Sequence, residues 1–315
     1  MSGTATLTDH VAHFVAMNRK LGYRFTKHEY MLRSFVRFAE DRNEPFIRSE
    51  TAIEWASGRT GVSPSARVRK LHVLHAFACW VHDEDPRHEV PPRDALGPLS
   101  ERRPRPYLLS IEDIEKLLAA ALCIEPAGTI TPLTWHHLFG LMAATGLRIA
   151  EALKLTLDDI TPDGLIIRDT KFGKSRMVAL HSTTWDALHR YLAVRRKTNA
   201  SNGHLFVLAS TGRPPIRTHA TRAFRHLAEQ TGIREPGAPR GPTPRSLRHS
   251  FAVRSIENLR PDADPGRHML ALATYLGHVE VSDTYWYLEA TPVLLGGIAE
   301  ATERAHALRR GGSHD

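Results

Sequence analysis

Two cysteines in 315 residues leave little room for covalent cross-linking. Cys79 and Cys123 both fall in apolar, helix-like stretches (HAFACWV and AALCIE). A disulfide framework is therefore not expected, and a reducing compartment fits. Long apolar runs are missing too: nothing approaches the ~18 consecutive apolar residues of a membrane-spanning helix. The opening MSGTATLTDH lacks the apolar core of a secretory leader, so the expected location is the cytosol. Nineteen histidines occur, but His136-His137 and His72 with His75 lack carboxylates or cysteines at ligand spacing. No metal or other cofactor is expected. No repeat of solenoid length is present. Negative charge is in short supply as well. Lys and Arg number 42 against 34 Asp and Glu, a net charge of +8, which points to a polyanionic partner, nucleic acid first.

What is present is ordinary globular material, 42% hydrophobic and 24% charged, in a chain long enough for two domains. The first hundred residues read as helical. Tyr30, Leu32, Phe35, Val36 and Phe38 share most of one face, as do Val73, Leu74, Phe77, Trp80 and Val81. Arg67, Arg69 and Lys70, in the turn-rich segment GRTGVSPSARVRK and the helix after it, are candidates to line a DNA backbone. From residue 86 to 106 the chain is rich in proline and arginine without apolar period, which marks a boundary near residue 100. The expected organisation is a helical DNA-binding domain over 1–98, a linker over 99–107 and a second domain over 108–315. Arg102, Arg103 and Arg105 are further candidates for phosphate contact. Ser110 opens a capping box before IEKLLAAAL. Helices are expected at 134–145, 148–156, 182–197, 217–231, 247–258, 267–276 and 281–288. Strands are expected at 164–169 and 176–180, around a hairpin carrying Lys171 and Lys174. The fold class is mainly α with one small antiparallel sheet.

Two arginines, a histidine and a late tyrosine then stand in a chemically suggestive order: Arg148, Arg248, His278 and Tyr287. Breaking a phosphodiester without a metal needs positive charge aimed at the non-bridging oxygens, and the planar guanidinium fork supplies it. Arg148 follows a Thr-Gly helix break, close to a helix N-terminus that also favours anions. Glu151, three residues on, shares its helix face and can orient a guanidinium. Asp158-Asp159 reads as capping rather than as a catalytic carboxylate pair.

ATGLRIAEALKL, TKFGKSRMVAL, PRSLRHSFA and LGHVEVSDTYWYL together resemble the tyrosine recombinase (phage integrase) family across residues 108 to 290. Residues 1–100 resemble the family's core-binding domain in length, position and helical character. The end of the motif is similar to recombinases of mobile elements. The resemblance implies a mixed α+β catalytic domain. It also implies site-specific recombination of double-stranded DNA by recombinases that assemble on it, with neither metal nor ATP. Tyr287 attacks the scissile phosphate to form a 3′-phosphotyrosine. Arg148 and Arg248 clamp the phosphate, Lys171 protonates the leaving 5′-oxygen, and His278 binds the phosphate or positions the nucleophile. Tyr285 competes with Tyr287, and Lys174 with Lys171; the spacing from His278 and the family pattern favour Tyr287 and Lys171. Two residues apart on a helix put the tyrosines on opposite faces, so Tyr285 is expected to pack.

One departure stands out. Three residues before Arg248 the family usually has a histidine, thought to act as general base; here Arg245 stands there. Arginine cannot accept a proton near neutral pH. Three readings follow: Arg245 adds a third phosphate contact, the favoured one; His249 substitutes, although its place on the helix faces away from Arg248; or the enzyme is slow or partner-dependent. The departure keeps a catalytically inactive DNA-binding partner in view, and a type IB topoisomerase shares the chemistry. After Pro292 an amphipathic helix, 292–310, is expected to dock on a neighbouring protomer.

Overall fold

A capping pair decides where the first helix begins. Thr6 accepts from the Asp9 amide while the Asp9 carboxylate accepts from the Thr6 amide, and this pair opens α1 (Leu7–Lys20). α2 (Thr26–Glu40) and α3 (Ser49–Ser57) follow. Ser63 caps α4 (Pro64–Glu84), which starts on a proline where no intrahelical amide bond is lost. The computed structural model describes residues 5–58, 62–99, 106–168, 175–198, 203–259, 264–278, 280 and 282–288. The chain divides into two compact units, Met1–Arg103 and Pro104–Asp315.

In the first unit Val11, Phe14, Leu32, Phe35, Trp55, Leu71, Leu74 and Phe77 form one buried cluster. Tyr30 does not join it and is 66% exposed. The core stripe of α2 runs through Leu32, Phe35, Val36 and Ala39, and a residue two positions before Leu32 points away from it.

The second unit begins with α5 (Ile111–Leu122), opened by the Ser110–Asp113 capping box expected from the sequence. α6 (Ile130–Thr145) and the short α7 (Ile149–Ala152) follow. A three-stranded antiparallel sheet comes next, in the order β1 (Ile160–Thr161), β2 (Gly164–Ile167), β3 (Arg176–Val178), with Leu165 opposite Val178 and Ile167 opposite Arg176. Then come α8 (Ser182–Arg195), α9 (Arg217–Gln230), α10 (Pro244–Glu257), α11 (Pro265–Leu276) and α12 (Ser282–Tyr285). The protein is mainly helical with one small antiparallel sheet, as the sequence indicates. α6 is the central helix, packed by α5, α8 and α10. Trp135, Leu138, Phe139, Leu141 and Met142 are all buried along it.

Several boundaries differ from expectation for local reasons. The helix expected to reach residue 156 stops at Ala152. Asp159 accepts the amide and hydroxyl of Thr156, which turns the chain into a 3-10 turn, and Leu155 accepts from the Leu205 amide. α10 starts three residues early, because Thr243 and Ser246 form a capping box ahead of Pro244. The last helix is one turn long. Cys123 is exposed at the end of α5, and both cysteines are free. No helix of the described residues is long and apolar enough to cross a membrane. The expected helix 292–310 lies outside the described residues.

α6 ends on Gly146 in a left-handed conformation, φ 63°. A Cβ there would stand 2.5 Å from Phe251 Cδ1 and 2.9 Å from Leu276 Cδ2, so α10 and α11 close on a position that only glycine fits. Gly146→Ala is expected to lower stability by about 2 to 4 kcal/mol through backbone strain and overpacking together. Urea unfolding checks this; an unchanged midpoint would mean that Phe251 and Leu276 yield without strain.

Candidate active site

The turn after α6 carries the first functional side chain. Arg148 is the N-cap residue of α7. Its amide donates to Glu151 Oε2 at 3.0 Å and its Nη1 to Glu151 Oε1 at 2.8 Å. The same fork reaches the carbonyls of Leu276 at 3.4 Å and Gly277 at 3.2 Å. Glu151 holds a second guanidinium. Arg176, on β3, spans both carboxylate oxygens at 3.2 and 2.9 Å and donates through Nε to the Tyr275 carbonyl at 2.8 Å. Arg176 was not among the sequence candidates. A cation beside the exposed Met177 on a short strand reads as surface, and only its proximity to Glu151 reveals it.

Arg248, on the second turn of α10, is buried. Nη1 donates to the Gly146 carbonyl at 2.7 Å, and Nη2 donates to the Leu276 carbonyl and to His278 Nε2, both at 2.9 Å. His278 therefore accepts at Nε2 and donates from Nδ1 to Thr284 Oγ1 at 2.6 Å. The Tyr287 ring stacks on His278 with centroids 6.2 Å apart and planes 16° from parallel. The Tyr287 hydroxyl lies 3.3 Å from Nδ1 of His249, the residue after Arg248. Sequence reasoning turned His249 away from the site on helix angle alone, whereas the segment bearing Tyr287 comes round to meet it.

The charges explain the protonation states. Burial pushes the Glu151 carboxyl up, but the hydrogen bonds and charge of Arg176, with those of Arg148, outweigh it and hold the group at about 2. Burial, then the neighbouring Arg148 charge, lowers Arg248 to about 10, so it stays protonated. Burial lowers His278 to about 4, helped by Arg248 and Arg148. His249 is also brought to about 4, by burial first and then by Arg245, Arg248 and His278. Both imidazoles are neutral at pH 7.

The structure thus brings together Arg148, Glu151, Arg248, His278 and Tyr287 from widely separated stretches. Tyr287 is buried in a cluster with Val253, Ile256 and Leu272, and Tyr285 is 49% exposed, the reverse of the expected packing. The reason is that α12 ends at Tyr285, and Tyr287 sits in the turn beyond it. Arg245 is exposed on the first turn of α10. Lys171, Lys174, Arg102, Arg103 and Arg105 lie outside the described residues. On α4, Arg69 is exposed and Arg67 half-buried, while Lys70 donates to the Trp55 carbonyl at 2.7 Å and sits over its ring. Asp159 caps its turn and pairs with Arg168, as a capping residue rather than a catalytic one. Among the described residues no group of three or more His, Cys, Asp or Glu could hold a metal ion.

Comparison with known proteins bears on the arrangement. Residues 108–292 match the model of the phage integrase family. A putative integrase/recombinase, y4rB of Sinorhizobium fredii, is 37% identical over 309 residues, covering 95% of this chain and 98% of the relative. The tyrosine recombinase XerD of Brucella abortus is 30% identical over 236 residues, 72% of each chain. Among solved structures, the XerH site-specific recombinase in a post-cleavage complex with difH superposes with a TM-score of 0.67 at 19% identity, covering 88% of this chain and 79% of that one. The Tn1549 transposon integrase with transposon right-end DNA gives 0.67 at 18% identity, covering 96% and 100%. At these identities the two structures speak for the fold.

Glu151 gives the site a measurable acid limb. Its folded value, about 2, lies below the ordinary 4.5, so its stabilising effect is full above about pH 4.5 and is lost as pH falls toward 2. A gap of about 2.5 pH units corresponds to roughly 3 kcal/mol. Glu151→Gln is expected to lose stability of that order at pH 7, with the difference from the parent shrinking to nothing near pH 2. Denaturation midpoints across pH check this; a difference that does not vary with pH would remove the ion pairs as the cause.

Proposed function

We propose a strand-exchange mechanism for this chain, which belongs to the phage integrase family and is a site-specific DNA recombinase of the tyrosine type. Tyr287 Oη attacks the scissile phosphorus, the P–O5′ bond breaks, and a 3′-phosphotyrosine forms. Arg148 and Arg248 hold the non-bridging oxygens as charge builds on them. Lys171 protonates the departing 5′-oxygen, a role that rests on the resemblance of its motif. His278 orients Arg248 and supports the ring of Tyr287. A 5′-hydroxyl from a second strand then reseals the bond, whose energy the phosphotyrosine conserves.

The observation that carries this reading is the meeting of Arg148, Arg248 and the His278–Tyr287 pair from three separate stretches of chain. Tyr287 is only 3% exposed, so DNA entry has to shift the segment 282–288 to admit a phosphate. Neither the inactive-binder reading nor the topoisomerase reading has comparable support: the site is assembled, and the relatives compared are named as recombinases or integrases. Duplex DNA is the partner, gripped by both units, with Arg67 and Arg69 on the first, Arg102, Arg103 and Arg105 at the linker, and Arg245 as a further phosphate contact. Copies of the chain assemble on that DNA and pass segment 292–310 between protomers. The enzyme works in the cytoplasm.

A nicked duplex, with its site recovered by selecting bound sequences from a random library, tests the chemistry because the short 5′-hydroxyl fragment diffuses away and traps the adduct. The parent and Tyr285→Phe are expected to form a covalent DNA adduct, and Tyr287→Phe none. An adduct with Tyr287→Phe would reassign the nucleophile.

Arg248→Lys removes the fork that serves the Gly146 and Leu276 carbonyls, His278 and the phosphate. Adduct formation is expected to slow by roughly 10²- to 10³-fold, while gel-shift affinity changes far less. Equal losses in both would make Arg248 a binding residue only.

A further inference from the structure

The site as described has a nucleophile, cations and a candidate acid, but nothing yet to take the proton of Tyr287. His278 is poorly placed for it. Its Nε2 accepts from Arg248, and its Nδ1 is engaged with Thr284. Arg245 cannot serve, since a guanidinium has no lone pair to offer. His249 Nδ1, 3.3 Å from Tyr287 Oη, lies within reach of the proton, with the rings 5.5 Å apart and tilted by 58°. Trp286 packs against both, its centroid 5.1 Å from that of the imidazole and 5.4 Å from that of the Tyr287 ring, and His249 is buried.

From this geometry we infer that His249 is the catalytic base that removes the Tyr287 proton, standing in for the histidine absent at position 245. The inference rests on Tyr287 being the nucleophile. Helix geometry explains the exchange of positions. Residues 245 and 249 are four apart, so they differ by about 40° around the axis of α10 and about 6 Å along it. A base at 249 lies on the same stripe as one at 245, one turn further in. In cleavage the Tyr287 O–H bond breaks as the P–Oη bond forms, the proton passes to His249 Nδ1, and the P–O5′ bond breaks with O5′ taking a proton from Lys171. On resealing, an incoming 5′-hydroxyl gives its proton back to Lys171 as the P–O5′ bond forms, the P–Oη bond breaks, and the proton on His249 returns to the departing Tyr287 oxygen.

The charged and titratable groups around the pair are Arg245 and Arg248 on α10, His278 after α11, and Asp283 on α12, which faces His278. Burial first, and then the two arginines and His278, keep His249 neutral across the neutral range.

Adduct formation on the nicked duplex, measured in single turnover from pH 4 to 9, tests this. For His249→Gln and His249→Ala the rate is expected to fall by roughly 10²- to 10⁴-fold at pH 7. It should then rise about tenfold per pH unit as hydroxide takes over deprotonation of the tyrosine. Added imidazole is expected to restore part of the His249→Ala rate. A rate within threefold of the parent, or a uniform slowing with the parent's pH profile, overturns the inference and leaves His249 a packing residue. If both variants fail to fold, the parent decides on a substrate with a 5′-bridging sulfur, whose thiolate departs without an acid. The remaining pH dependence should be a single limb that falls at acid pH as His249 protonates, and a rate climbing steadily through pH 9 rules out the base. Tyr287→Phe run alongside separates the two readings: an adduct there defeats the nucleophile assignment, whereas its absence with unaffected His249 variants defeats the base alone.

Discussion

Three guanidinium groups, Arg148, Arg176 and Arg248, converge beside one buried carboxylate, Glu151. Two of the three are satisfied by it directly; Arg248 feels it only at longer range. That leaves a standing excess of positive charge in a partly dry pocket, and the rest of the site follows from it. The neighbouring imidazoles, lowered first by burial and then by this excess, stay neutral. The pocket is preorganised for an anion, because its cations are already oriented before one arrives.

The backbone bears part of this charge. α11 ends at Leu276, and the last carbonyls of a helix lack intrahelical donors and carry the negative end of its dipole. Tyr275 accepts from Arg176, Leu276 from Arg248 and Arg148, and Gly277 from Arg148. One helix end thus gathers three arginines drawn from β3, α7 and α10. Gly277 is left-handed at φ 68°, and a Cβ on it would stand 2.9 Å from Arg176 Nη1. The turn that ends α11 and the seat of Arg176 are therefore one requirement. From there the chain needs only a few residues to bring His278 onto Arg248 and Tyr287 onto His278.

Much of this was legible in the sequence, because the signals lie in short strings. Arg148 with Glu151 three residues on, Arg248 behind a proline-led helix start, and the His278–Tyr287 spacing are local patterns, and local patterns survive without a structure. The long helices were legible for the same reason. What escaped was non-local. Arg176 has no neighbour in the sequence that marks it; its partner, Glu151, is twenty-five residues away. The packing of the two tyrosines was inverted because a helix was assumed through residue 288, whereas α12 ends at Tyr285. For His249, one of three readings open from the sequence, helix angle fixes where a side chain leaves its own helix but not which segment comes to meet it. The short helix α7 failed on a similar point, since Asp159 and the pairing with Leu205 overrule the helical tendency of the run.

The same charge excess that keeps the histidines neutral also makes their proton affinity depend on what occupies the site. In the free protein burial opposes an imidazolium at position 249, and Arg245 and Arg248 oppose it further. A phosphate seated between Arg148 and Arg248 brings negative charge to that point and cancels part of the opposition, so the proton affinity of His249 rises toward that of an ordinary histidine. A base whose strength grows with the substrate in place is matched to a nucleophile that is buried and protonated until then. An arginine at position 245 fits this scheme better than a second histidine would. It cannot take the proton itself, but it is exposed at the head of α10, where as the proposed phosphate contact it would add to the pull on the substrate, and it helps burial hold the proposed base one turn deeper unprotonated.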